Sequence, residues 1–136
     1  PPDPIAGALD AVRAAAERGP VALISDSGIS PGSSLLKLLE RNGFTDYLQV
    51  CVFSDEVGVA KPQAAMFHCA ASGMRVDLDS ILHIGDLEPT DIAGALNCGA
   101  RAALFGGDNE RYVGKTKAHH TFTEWRTFCE KLPDLC

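Results

Sequence analysis

The 136-residue sequence has no apolar run near the ~20 residues a membrane-spanning helix needs, so no span and no membrane partner are expected. It has no excess of positive charge. Twelve Lys and Arg stand against 18 Asp and Glu, and the net charge of −6 argues against nucleic acid or an anionic membrane surface. It has no C-x-x-C pair: Cys51, Cys69, Cys98, Cys129 and Cys136 are odd in number and widely spaced. That excludes the usual zinc and disulfide signatures and leaves reduced cysteines packed as small apolar residues, as in a cytoplasmic protein. The chain opens Pro1-Pro2-Asp3-Pro4, without Met and without a basic stretch followed by an apolar one, so no secretory signal is expected in it. Internal repeats, low-complexity tracts and linkers are also missing. Residues 1–136 are therefore expected to form one domain, and 46% hydrophobic residues suffice for its core.

What is present is an alternation of helical and strand patterns. Residues 5 to 18 read as a helix, with Ile5, Leu9, Val12 and Ala16 on one face and Gly19-Pro20 as its stop. Val21 to Ser25 is an apolar run of strand length, and its continuity predicts a strand covered on both faces. Ser30 and Pro31 have the chemistry of a helix start, with Leu35, Leu38 and Leu39 as the buried stripe and Gly43 as the stop. Gln49 to Phe53 reads as a second strand. Pro62 opens a third helix with Met66, Phe67 and Ala70 inward. Ser80 to Ile84 is the third strand, Pro89 to Cys98 the fourth helix and Arg101 to Phe105 the fourth strand. A polar, Gly-rich loop follows, with His119-His120 expected as an exposed pair on it. Thr121 and Glu124 suggest a capping box for a last helix whose stripe is Trp125, Phe128 and Leu132. This rhythm predicts an α/β fold, a three-layer Rossmann-like sandwich around a parallel sheet.

Ligands of such sheets bind at the carboxyl ends of the strands. Three strand ends carry polar groups here: Ser25-Asp26-Ser27-Gly28, Lys61 after the second strand, and Gly85-Asp86 with Asp91 beyond. A hydroxyl and an ammonium suit phosphate oxygens, and a carboxylate pair suits Mg²⁺, a hard cation that prefers oxygen. His83, inside the third strand, reads as a packed or hydrogen-bonded core residue.

In order and spacing these residues resemble the haloacid dehalogenase (HAD)-like hydrolase superfamily of Mg²⁺-dependent phosphohydrolases. Leu23-Ile-Ser25-Asp26 is similar to its second motif, Ser54-Asp-Glu-Val-Gly-Val-Ala-Lys61-Pro62 to its third, and His83-Ile-Gly-Asp86-Leu-Glu-Pro-Thr-Asp91 to its fourth. The resemblance implies that Ser25, the Asp26 backbone N–H and Lys61 hold phosphate. It implies that Lys61 offsets charge on the transferring group, and that Asp86 binds Mg²⁺ with Asp91 as its acidic partner. The implied substrate is a small phosphorylated or anionic molecule.

The family's first motif, Asp-x-Asp at the end of a first central strand, has no counterpart before Val21. Asp3 and Asp10 lie in a helical pattern. Asp26, which follows an apolar strand, is the one substitute nucleophile the sequence offers. Without the first strand a slot is expected between the strands ending at Ser25 and Ile84. Three outcomes are open: the two strands close up and pair, a second copy or another chain donates a strand, or residues of the natural protein lie outside this sequence. A homodimer is one form of the second outcome. Two function classes follow. One is a phosphatase-type enzyme, weakly active or inactive as this chain alone. The other is a non-catalytic binding or interaction module. A flavodoxin-like or response-regulator domain shares the layering but does not call for this Ser–Lys–Asp order.

Overall fold

The computed structural model describes residues 4–25, 32–58, 64–107 and 109–135. In chain order the elements are α1 (Pro4–Ala16), β1 (Ala22–Ser25), α2 (Gly32–Arg41), β2 (Val50–Phe53), α3 (Ser54–Val57), α4 (Ala64–Met74), β3 (Leu82–Gly85), α5 (Ala93–Asn97), β4 (Arg101–Phe105), β5 (His120–Phe122) and α6 (Trp125–Leu135). A 3₁₀ turn, Leu78–Ser80, precedes β3, and a π-helical turn, Glu88–Ile92, leads into α5.

Every strand pairing is parallel. β1 lies against β2, from Ala22 opposite Val50 to Ser25 opposite Phe53. β3 lies against β4, from Leu82 opposite Arg101 to Gly85 opposite Leu104, and β4 against β5, from Ala103 opposite His120 to Phe105 opposite Phe122. The strands fall into two sheets, β1-β2 and β3-β4-β5. Among the described residues β1 and β3 do not pair, so the first of the three expected outcomes, direct closure, is not what this chain does.

The two sheets nonetheless share one apolar layer. α4 turns Met66, Phe67 and Ala70 inward, as its periodicity predicts, and they join Val52 of β2 and Ala102 and Leu104 of β4 in one cluster. Ala22 and Ile24 of β1 pack against that cluster. On the opposite face Ala103, Phe105, Phe122, Phe128 and Leu132 form a second cluster, with Trp125 stacked on Phe105 at a 4.0 Å centroid distance. Arg101 ties the end of α6 to β4 by donating from Nη2 to the Leu135 carbonyl at 3.1 Å.

Several expectations change. Among the α1 side chains described, the buried one is Ala11, and Ala14 and Ala15 pack with it, because α1 lies on α6 and presents small residues to it. The face through Leu9 and Val12 is only half-buried. β1, expected to be covered on both faces, is half-buried throughout. In α2 the leucine stripe is not buried: Leu35 and Leu39 are half-buried, and Leu38 is 56% exposed. β1 lies beside the break between the sheets, where among the described residues no strand pairs with its second edge. β5 is an addition, three residues being too short to show a period. It places His120 in a strand, while His119 Nδ1 accepts the Ala102 N–H at 3.2 Å. Thr121 therefore belongs to β5 and does not cap α6; the Glu124 carbonyl takes the first helical hydrogen bond, from Phe128 N–H. Ser30 and Pro31 lie outside the described residues.

Candidate active site

The carboxyl end of β3 is built around the packing of Asp91 over Gly85. The strand runs Leu82-His83-Ile84-Gly85, and the chain then passes through Asp86 and Leu87 into the π-helical turn. That turn carries the Asp91 side chain back over the strand it came from. A Cβ placed on Gly85 would stand 2.1 Å from Asp91 Cγ, so only glycine admits this approach. Asp91 is 3% exposed, the one buried charged residue among those described. Its burial is matched by hydrogen bonds. His83 Nε2 lies 3.1 Å from Oδ1, and the Leu87 N–H donates to Oδ2 at 3.2 Å. The Phe67 ring meets His83 edge-on, with centroids 5.0 Å apart, and fixes the imidazole from the α4 side. His83 is thus the hydrogen-bonded core residue its position suggested.

Asp86 differs from Asp91. It is half-buried, and its carboxylate has no partner among the described residues. Its backbone carbonyl accepts from Asn109 Nδ2 at 3.5 Å. Among the described residues, one carboxylate of the pair is thus held by hydrogen bonds and the other is not. Glu88, the first residue of the π turn, accepts from the Thr116 hydroxyl and, at 2.9 Å, from the Lys117 N–H.

The donor set fits Mg²⁺. The ion takes one or two carboxylates and completes its octahedron with water and phosphate oxygens, which the Asp86–Asp91 pair allows. No cluster of three or more His, Cys, Asp or Glu that could hold a metal occurs among the described residues.

Ser25 is the last residue of β1, opposite Phe53 and half-buried. It sits at a strand's carboxyl end, as its motif requires, but in the other sheet, and no described hydrogen bond joins it to Asp86 or Asp91. Asp26 and Lys61 lie outside the described residues. Asp55 of α3 accepts the Gly32 N–H with both oxygens, at 3.1 and 3.2 Å, and so satisfies a donor in the first turn of α2.

Sequence reasoning missed Asp55, Glu88, Asn109 and Thr116. Glu88 lies within the motif-like loop and was open to notice. Asn109 and Thr116 sit in a polar loop whose pattern carries no signal of where it folds back. Two shallow hollows, of about 360 and 460 Å³, lie elsewhere. The first is at the amino end of β1, beside Val21 and Gln49, and the second lies between α2 and β2, beside Gly32 and Val50. Neither contains the carboxylate pair.

Comparison with known proteins agrees with this architecture. The family model of haloacid dehalogenase-like hydrolases matches residues 1–99. A pyrimidine 5′-nucleotidase of Escherichia coli is 34% identical over 99 residues, covering 71% of this chain and 42% of the relative. A 5-amino-6-(5-phospho-D-ribitylamino)uracil phosphatase of the same organism is 28% identical over 100 residues, 74% of this chain and 39% of the relative. The chain thus spans about two fifths of the length of these relatives. Among solved structures, a HAD phosphatase from Thermococcus onnurineus superimposes with a TM-score of 0.78 at 22% identity, over 91% of this chain and 55% of that one. A HAD-hydrolase from Bacillus subtilis bound to magnesium gives 0.80 at 17% identity, over 93% and 55%. At these identities the structural likeness speaks to the Rossmann-like fold, and the family match, over nearly three quarters of the sequence, speaks to descent. The chain belongs to the haloacid dehalogenase-like hydrolase family.

Proposed function

We propose that this chain is the phosphate- and metal-holding part of a Mg²⁺-dependent phosphomonoester hydrolase site that acts on small phosphorylated molecules. One observation carries the reading. At the end of β3 a buried, hydrogen-bonded Asp91 stands five residues from an Asp86 whose carboxylate has no partner among the described residues. The relatives' names, a pyrimidine 5′-nucleotidase and two phosphatases, support the reaction class.

Asp86 and Asp91 would hold the ion, which when bound supplies positive charge beside the phosphoryl oxygens. Asp91, held by His83 and the Leu87 N–H, keeps the loop in shape so that Asp86 meets its ligand without rearrangement. Ser25 Oγ and the Asp26 N–H would donate to phosphate oxygens, and the Lys61 ammonium would stabilise charge as the ester bond breaks. In the family's chemistry an Asp carboxylate attacks phosphorus. The break between β1 and β3 is where a strand bearing one would sit, from another segment or another chain. Asp26 is the substitute within this sequence. Loss of a covalent nucleophile typically costs several powers of ten in rate, so this chain alone is expected to be weakly active or inactive.

The break in the sheet also favours a second reading, a non-catalytic module that binds a small anion or a partner strand, with homodimerisation as one form. One assay separates the two: the chain with a generic phosphomonoester and Mg²⁺. Turnover abolished by Asp86→Ala supports the hydrolase, and its further loss in Asp26→Ala identifies the nucleophile. Mg²⁺ binding without turnover supports the module. Turnover unaffected by Asp86→Ala removes the proposed site.

A further inference from the structure

The segment between β4 and β5 does more than connect them. It returns across the carboxyl end of β3 and meets the Asp86–Asp91 loop at three points. Asn109 Nδ2 donates to the Asp86 carbonyl at 3.5 Å. The Thr116 hydroxyl and the Lys117 N–H each donate to one carboxylate oxygen of Glu88. The Ala118 N–H donates to Thr116 Oγ1 at 3.1 Å, which leaves the hydroxyl proton directed at Glu88. The segment is anchored, because Tyr112 and Ala118 pack on the hydrophobic cluster beneath the sheets.

Glu88 is well placed to pass this anchoring on. It opens the π-helical turn whose fourth residue is Asp91, and the residue before it, Leu87, donates the N–H that holds Asp91 Oδ2. The Asp91 and Ile92 amides both return to the Leu87 carbonyl, at 2.9 and 3.3 Å. π turns are rare and occur often at functional sites. Both Glu88 oxygens face the opposite segment, each accepting one of its donors.

We propose that Glu88, clamped by Thr116 and the Lys117 N–H, is a positioning residue that sets the spacing of Asp86 and Asp91 and so tunes the cation affinity of the site. This rests on the metal-site reading above. Groups that orient ligands from outside typically contribute about 10- to 100-fold to metal affinity.

The test measures Mn²⁺ affinity of the whole chain by electron paramagnetic resonance, with thermal melting alongside. The variants are Glu88→Gln, Thr116→Val, Thr116→Ser and, as site control, Asp86→Ala. The expected result is about tenfold weaker Mn²⁺ binding in Thr116→Val and Glu88→Gln at near-unchanged melting temperature, with Thr116→Ser restoring wild-type affinity. A second readout guards against an unfolded variant: amide exchange at Asp91 and Ile92 accelerates in Glu88→Gln while β4 stays protected. If Asp86→Ala abolishes binding but the Glu88 and Thr116 variants bind as the wild type does, the clamp has no bearing on the site and the inference fails. If the wild type binds no Mn²⁺, or Asp86→Ala binds as well as the wild type, the metal-site reading itself falls and takes the inference with it.

Discussion

Asp91 packs over Gly85 so closely that a Cβ there would lie 2.1 Å from Asp91 Cγ and 2.3 Å from Oδ2. The two residues are six apart in sequence and belong to different elements, a strand end and a π turn. The first strand–loop–helix junction of the site therefore depends on a missing side chain as much as on the carboxylate. Gly85→Ala is expected to push Asp91 off His83 and the Leu87 N–H. Overpacking of this kind costs about 1–3 kcal/mol, read as a lower urea midpoint, and the displaced carboxyl should weaken Mn²⁺ binding in the same variant.

Arg75 follows the last residue of α4 with φ of +58°, the one non-glycine residue in the left-handed region among those described. Val76 N–H closes back to the Ala71 carbonyl at 3.1 Å, the ending that glycine serves best. Arg75→Gly relieves a side-chain conflict of about 1–2 kcal/mol and loses part of that gain to the freer unfolded chain. A net rise of about 0.5–1 kcal/mol in unfolding free energy is expected, and an unchanged or lower denaturation midpoint would contradict it.

His120 is expected to make the protein less stable in mild acid. Burial first, then the charges of His119, Arg101 and Lys131, lower its pKa from the ordinary 6.5. The unfolded chain thus binds the proton more readily. The contribution is present above about pH 6.5 and is lost as pH falls through the lower folded value. The effect is small, because the ring is partly solvated. His120→Gln should flatten that part of the melting-temperature profile; an unchanged slope between pH 7 and pH 5 would assign it to other groups.

The cysteines differ in reactivity for a physical reason. Burial, with Glu56 adding to it, raises the Cys51 thiol above its ordinary 9.0, and burial with Asp10 does the same for Cys129. Cys69 is exposed. A thiol-reactive dye at pH 8 should therefore label Cys69 well before Cys51 and Cys129. The raised thiols also favour the folded state below about pH 9 and cease to do so as pH climbs through their folded values. Equal labelling rates in the native protein would show that Cys51 and Cys129 are more open than their packing implies.

How far the sequence disclosed all this depended on the range of the signal. Met66, Phe67 and Ala70 announced the buried face of α4, and Arg101 to Phe105 announced β4, because in both the local period and the tertiary environment agree. Gly85, Asp86 and Asp91 were visible as a loop motif. The Asp91–His83 bond was half visible, since a histidine in an apolar strand must find a partner. Thr116 and Asn109 were not visible. Their roles come from a loop of more than ten residues folding back on β3, which no local pattern encodes. The stripe of α2 was misjudged for the converse reason. Leu35, Leu38 and Leu39 have the right period, but a stripe is buried only where something covers it, and Leu38 has little above it.

The break between the sheets gives the most direct prediction. In a parallel ladder the N–H and C=O of one residue point to the same side. Arg101 N–H donates to the Ile81 carbonyl at 2.9 Å, so Ile81, His83 and Gly85 face β4, and Leu82 and Ile84 face away from it. Among the described residues no strand meets that edge. Leu82 and Ile84 amides should therefore exchange with solvent deuterium much faster than those of His83 and Gly85 on the same strand. If protection of Leu82 and Ile84 rises with protein concentration, a second copy closes the edge and the homodimer is established. If it rises only on adding an apolar peptide of strand length, the edge accepts a foreign strand, as the hydrolase reading requires. Equal, concentration-independent protection of all four amides would mean that the sheet is already continuous in solution, and neither partner would then be needed.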